Sequence, residues 1–202
     1  MAELTRVCLE LGKTWVFASA LDWPGWCRRG KGEEAAIDEL LEYRQRYAVV
    51  AGRGFKPGEI SVVGRTPGTS TTDFGAPDVS GEWDDQPLSK PEARRLTSLL
   101  EASWSYFDEV VESAPEQLRK GPRGGGRDRD AVVAHVQEAE RSYGRKVGVR
   151  VPPRTPWPEQ RQAIAASLRT GSSDGAWPAR YAIRRLGWHV LDHAWEIEDK
   201  GD

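Results

Sequence analysis

Hydrophobic and polar positions fall into two regimes along the chain. In the first 65 residues the apolar positions come in short β-branched and aromatic runs. "TRVCLEL" (5–11) and "KTWVFASAL" (13–21) flank a Gly-Lys break, which predicts a hairpin. "DWPGW" (22–26) reads as a turn. In "GEEAAIDELLEYRQRYAVVA" (32–51), Ile37, Leu40, Leu41, Arg44, Tyr47 and Ala48 recur at steps of three and four, with glutamates in the first turn, so a helix is expected. "GEISVVGR" (58–65) predicts a third strand. Residues 1–65 therefore read as a ββαβ unit.

Residues 66–88 have no sustained period and are rich in Gly, Pro, Ser, Thr and Asp, as in a linker or an ordered surface loop. Beyond them the spacing turns helical. Ser89 to Glu92 is a capping-box pattern with Pro91 in the first turn, and Leu96, Leu99, Leu100, Trp104, Phe107, Val110 and Val111 form an apolar stripe over 90–113. Further helices are expected over 128–147, with Val132, Val136, Ala139 and Tyr143 on the buried side, over 158–169, and from about Pro178 to 199. Four such helices predict a bundle over 89–202. The expected class is α+β: a small N-terminal ββαβ domain, a linker and an all-α four-helix bundle.

Composition narrows the function. Of 202 residues, 30% are charged and 38% hydrophobic, and the net charge is −2, a balance that points to neither nucleic acid nor an anionic membrane. No apolar run approaches the roughly 18 residues of a membrane span. The N-terminus lacks a secretory h-region, and two cysteines make a poor disulfide framework, so a cytoplasmic location is expected. The nine tryptophans suggest an aromatic pocket or interface, and those at 23, 26 and 83 are candidates to cover the mouth of the bundle.

The chemistry concentrates in "GWHVLDHAWEIED" (187–199). His189 and His193, four apart, lie about 40° from each other on one helix face, close enough to share a metal ion. Such a pair also occurs on ordinary packed helices. The chain's third histidine, His135, lies one to two turns into the 128–147 helix and can reach the same point from a neighbouring helix. Three imidazoles make a three-ligand site with an open position, a composition suited to catalytic zinc and compatible with nickel, iron(II) or copper.

On the same wheel Leu186, Val190 and Ile197 face the core. Arg185, Asp192 and Glu196 lie close to the histidine ridge, with Tyr181, Trp188 and Trp195 beyond them. Asp192, Glu196 and Glu138 are candidates to orient an imidazole or act as a general base, with a solvated surface charge as the alternative for each. "LRKGPRGGGRDRD" (118–130) carries Arg119, Lys120, Arg123, Arg127 and Arg129 just before the helix of His135. It is either a clamp for carboxylate or phosphate groups, with Arg127, Arg129 and Arg185 as the expected contacts, or a plain surface loop.

A bundle with a histidine early in its second helix ("AVVAHVQEAE") and a His-x3-His pair in a later one ("WHVLDHAWE") resembles the DinB/YfiT-like metalloenzyme family over residues 89–200. The resemblance implies that His135, His189 and His193 hold a divalent metal. It also implies a low-molecular-weight thiol cosubstrate, with thiol transfer or isomerisation as the activity. Residues 6–65 resemble HicB-like antitoxin domains through Pro24-Gly25, Cys27, Gly30 and Glu33-Glu34-Ala35, which implies a shape more than an activity. The expected function is a metal-dependent enzyme that turns a thiol or a water into a nucleophile for a small electrophilic substrate. The alternative is a non-catalytic binding or regulatory module that docks a protein partner, or a second copy, through its N-terminal unit and keeps a structural or vestigial metal.

Overall fold

The computed structural model describes residues 4–121 and 125–201. Among these, four strands near the N-terminus and seven α-helices make a mixed α+β fold. The hairpin forms as expected from β1 (Leu4–Leu11) and β2 (Val16–Ala20), with Val7 opposite Ala20 and Leu11 opposite Val16. One strand was not expected. β3 (Cys27–Gly30), with the sequence CRRG, has little intrinsic strand preference, and its conformation comes from antiparallel pairing with β2, where Ser19 faces Cys27. β4 (Glu59–Pro67) runs parallel to β1, giving the order β3-β2-β1-β4.

The helix expected over 32–51 is two helices, α1 (Glu33–Glu42) and α2 (Arg44–Ala51). Tyr43 between them leaves the helical region at φ −80°, ψ 1°. Its ring packs edge-on to Trp195 at 4.9 Å and carries the Arg28 guanidinium 3.7 Å above it. Tertiary contact overrides local propensity there.

Residues 66–88 are an ordered loop tied down at both ends. The segment contains α3 (Ser70–Phe74), capped by the Thr69 hydroxyl, which accepts from the Thr71 N–H at 3.0 Å. The buried Glu10 carboxylate of β1 accepts from the Thr72 hydroxyl at 2.5 Å and from the N–H groups of Asp78 and Val79.

The other four helices, α4 (Lys90–Ser113), α5 (Arg129–Lys146), α6 (Trp157–Leu168) and α7 (Ala179–Gly201), begin and end within about two residues of their expected bounds. Ser89 caps α4, its hydroxyl accepting from the Glu92 N–H at 3.4 Å. α7 packs on α4 and α5, and α6 packs on the same two helices.

Helix α7 is the centre of the molecule. Every residue from Ala179 to Leu191 is buried, so Arg185, Tyr181 and Trp188 beside the histidine ridge lie on an interior surface. The sheet covers it. Phe17, Ser19 and Cys27 lie on one face of the sheet, and Phe17 meets Trp188 edge-on at 5.9 Å. Val7, Leu9 and Ala18 lie on the other face and pack with Ala36 and Leu40 of α1. The larger of two hydrophobic clusters runs from Val7 of β1 to Ile197 of α7, and Phe17, Cys27 and Trp188 form the smaller one.

One close backbone approach of the N-terminal unit to α7 is glycine on glycine. Gly25, at φ +97° in the DWPGW turn, sits on Gly187, where a Cβ would lie 3.1 Å from the Gly25 nitrogen. Buried arginines of α7 find distant acids: Arg184 bonds Asp84 at 3.0 and 2.6 Å, and Arg180 bonds Glu92 at 2.8 Å. No helix among the described residues is long and apolar enough to cross a membrane.

Candidate metal centre

The three histidines converge. α7 presents His189 and His193 one turn apart, and α5, packed beside it, brings His135 opposite them. The Nε2 atoms of His135 and His189 are 3.3 Å apart, close to the separation of about 3.3–3.4 Å set by two ligands each about 2.0–2.1 Å from a tetrahedral zinc. One ligand atom from each of the three lies within 4.8 Å of the other two, so the cluster could hold a metal ion. His189 and His193 are buried, whereas His135 is exposed and leaves one side of the cluster open.

The electrostatics favour the neutral imidazole at His189 and at His135. Burial holds His189 well below the usual imidazole range, reinforced by the charges of His193, Arg185, His135 and Arg127. Burial also lowers His135, with His193 and Arg127 adding to the effect. The Glu196 carboxylate is pushed down to about 2, first by its hydrogen bond with His193 and then by Lys200. It is therefore ionised and can only accept. His193 donates its Nδ1–H to it at 2.8 Å, so Nε2 is the ring nitrogen left to serve the cluster. The second Glu196 oxygen accepts from Lys200 at 2.6 Å.

The other candidates sort clearly. Arg127 reaches the cluster's edge, 3.7 Å from Glu196. Arg185 is buried one turn before His189, over the rings of Tyr143 at 5.0 Å and Trp188 at 4.6 Å. Asp192 is not brought into the histidine cluster. It turns to the sheet and pairs with Arg28 at 3.1 Å, because β3 covers that side of α7. Glu138 points to solvent, with Arg141 at 3.9 Å as its nearest cation, since its face of α5 is uncovered. Arg129 is structural as well, donating to the Ala114 carbonyl at 3.0 Å and to Asp130 at 2.9 Å.

Among the described basic residues of 118–130, Lys120 and Arg119 serve helix ends. Lys120 pairs with Asp128 at 2.5 Å, and Arg119 donates to the Asp199 carbonyl at 2.7 Å. Arg123 lies outside the described residues. Nor do the three tryptophans cover a mouth. Trp26 is fully buried and donates to the Leu40 carbonyl, Trp23 packs on Phe55, and Trp83 packs against Gly64 and Gly81. The residue missed near the site is Tyr143, whose ring stands 5.5 Å from that of His189. Its position eight residues after His135 put it on the same helix face, a signal present in the spacing.

Searches against protein-family models, curated proteins and solved structures found no match to this chain.

Proposed function

We propose that His135, His189 and His193 hold a divalent metal, zinc in preference to nickel or iron(II), in a metal-dependent enzyme of the DinB-like class. The proposed reaction joins a low-molecular-weight thiol, or water, to a small electrophilic substrate. The observation that carries the proposal is the 3.3 Å approach of two Nε2 atoms on different helices, with an ionised carboxylate on the outer nitrogen of the third imidazole. Ordinary packing gives no reason to gather a chain's three histidines, none of them facing an acid except through the far side of the ring.

When bound, the metal would lower the pKa of a coordinated thiol or water and polarise the electrophile. The chain's own residues set the conditions for that chemistry. His135, exposed, lies where a ligand can approach. Glu196 has both oxygens engaged, so it fixes the His193 tautomer and ring rather than receiving a proton from substrate. Tyr143 and Trp188 wall the buried side, restricting water around His189.

Metal analysis of untagged protein tests the proposal. About one zinc per chain is expected in the wild type, and close to none in His189→Ala. Zinc undiminished in that variant would overturn the site.

A further inference from the structure

The connection between α2 and β4, GRGFK (52–56), places a cation on either side of Phe55. Phe55 is clamped in an aromatic cluster. Its ring centre lies 4.9 Å from that of Trp23, 5.2 Å from Trp26 and 5.1 Å from Tyr47, and its N–H donates to the Gly52 carbonyl at 3.0 Å. The cluster is itself fixed, because the Trp26 indole donates to the Leu40 carbonyl and the Tyr47 hydroxyl to the Pro24 carbonyl. Arg53 and Lys56 are therefore exposed side chains on an anchored backbone. Arg95 of α4 is held nearby, its guanidinium 5.5 Å from the Trp23 ring and donating to the Asp22 carbonyl at 3.0 Å.

Arg53, Lys56 and Arg95 line one cavity of about 570 Å³ together with Leu4, Asp22 and Trp23, and none of the three histidines lines it. That volume falls in the range of small-molecule sites, roughly 300–1,000 Å³. The acid in the cavity is already engaged, since the Asp22 carboxylate accepts from Arg6 at 3.0 and 2.5 Å. None of the three cations forms a salt bridge among the described residues. Acids are not scarce: the chain has 31 acidic residues against 29 lysines and arginines, and exposed arginines elsewhere take partners, as Arg65 does Glu33 and Arg169 does Glu101. Like charges gathered along a cleft repel one another and concentrate anions there.

We propose that this cavity binds a phosphorylated small molecule, with the phosphate on Arg53, Lys56 and Arg95 and the apolar part against Leu4 and Trp23. The cations come from two elements, the α2–β4 connection and α4, and so can meet a tetrahedral phosphoryl group on more than one side. A carboxylate offers both oxygens in one plane. Three positive charges also match a dianion better than a monoanion. Leu4, 55% exposed, and the half-buried Trp23 supply the apolar surface. The assignment is independent of the histidine cluster.

Calorimetric titration of untagged protein with phenyl phosphate, benzoate and inorganic phosphate tests it. Phenyl phosphate should bind at one site per chain, at least tenfold more tightly than benzoate and at least threefold more tightly than inorganic phosphate. The Arg53→Gln/Lys56→Gln double variant should lose at least tenfold in phenyl phosphate affinity, and Arg95→Gln should weaken it too. An Arg145→Gln/Arg150→Gln control, which removes the same charge from exposed positions outside the cavity, should bind as the wild type does. A metal on the histidines could also attract the phosphate, so His189→Ala is titrated alongside and should keep the wild-type affinity. Absence of binding, equal loss in the two double variants, or a loss confined to His189→Ala overturns the proposal. So does benzoate or inorganic phosphate binding as tightly as phenyl phosphate. Short single-stranded DNA binding more tightly through the same residues would assign the cleft to nucleic acid and overturn it as well. Thermal unfolding of the double variants should match the wild type, which separates a lost site from a lost fold.

Discussion

Helix α5 carries two polar clusters five residues apart, one at Glu140 and one at His135. At Glu140 the carboxylate accepts from the Trp157 indole at 2.5 Å and from Arg161 at 2.9 and 3.1 Å, and Arg161 continues to Asp108 at 2.8 Å. Donors there meet acceptors, and the buried Arg161–Glu140 pair is neutral, with the more exposed Asp108 as a second carboxylate. At His135 three imidazoles converge from α5 and α7, and the His189 Nδ1 is buried without a hydrogen-bond partner. The first cluster joins α4, α5 and α6. The second leaves an unfilled valence between α5 and α7, which is what a site for an external ligand requires.

The largest effect should come from breaking the closed cluster. Glu140→Ala removes the buried partner of Arg161 and leaves it only the more exposed Asp108, and should cost about 3 kcal/mol in urea unfolding, while the folded fraction keeps its zinc. A loss under about 1 kcal/mol would mean that the Glu140 cluster is not structural, and the contrast would collapse. Next in size is Glu196→Gln, which replaces the ionised acceptor on His193. Zinc affinity should fall about 10- to 100-fold, or roughly 1.4–2.7 kcal/mol, with little change in the metal-free stability. Competition with a chromophoric chelator measures it, and an unchanged affinity would reduce Glu196 to a surface charge.

The smallest effect is a pH slope. Folded His189 binds a proton more weakly than unfolded His189, so the unfolded state carries the extra proton below about pH 6.5. Metal-free protein should therefore lose stability as pH falls through that point, by at most about 1.4 kcal/mol per pH unit from this residue. Urea unfolding between pH 7 and pH 5 would show it. The His189→Leu variant should have the shallower profile, and identical slopes would place the titration elsewhere.

How much was legible in the sequence follows from the range of the interactions. The start of α4 was readable because Ser89 and Pro91 act within one turn, and the approach of His189 to His193 because helical geometry alone fixes it. His135 could be suggested because only three histidines exist to be placed. The burial of Arg184 was not legible, since Asp84 stands 100 residues away. The place of Asp192 was not legible for the same reason: its partner Arg28 is 164 residues distant, on a strand that exists only through pairing. An amphipathic pattern shows which side of a helix carries charge. It does not show whether another layer will cover that side with complementary charge.

The burial of α7 also has a consequence for biosynthesis. Translation delivers β1, β2 and β3 well before the helix that covers them, so Phe17, Cys27 and the Gly25 turn emerge with their packing partner still unmade. The nascent chain thus holds an uncovered sheet until Trp188 and Gly187 arrive, a long interval in which a chaperone or a neighbouring chain can occupy that face. Residues that bring the histidines together are also the ones that end this exposure, so folding quality and site assembly are decided at the same late moment.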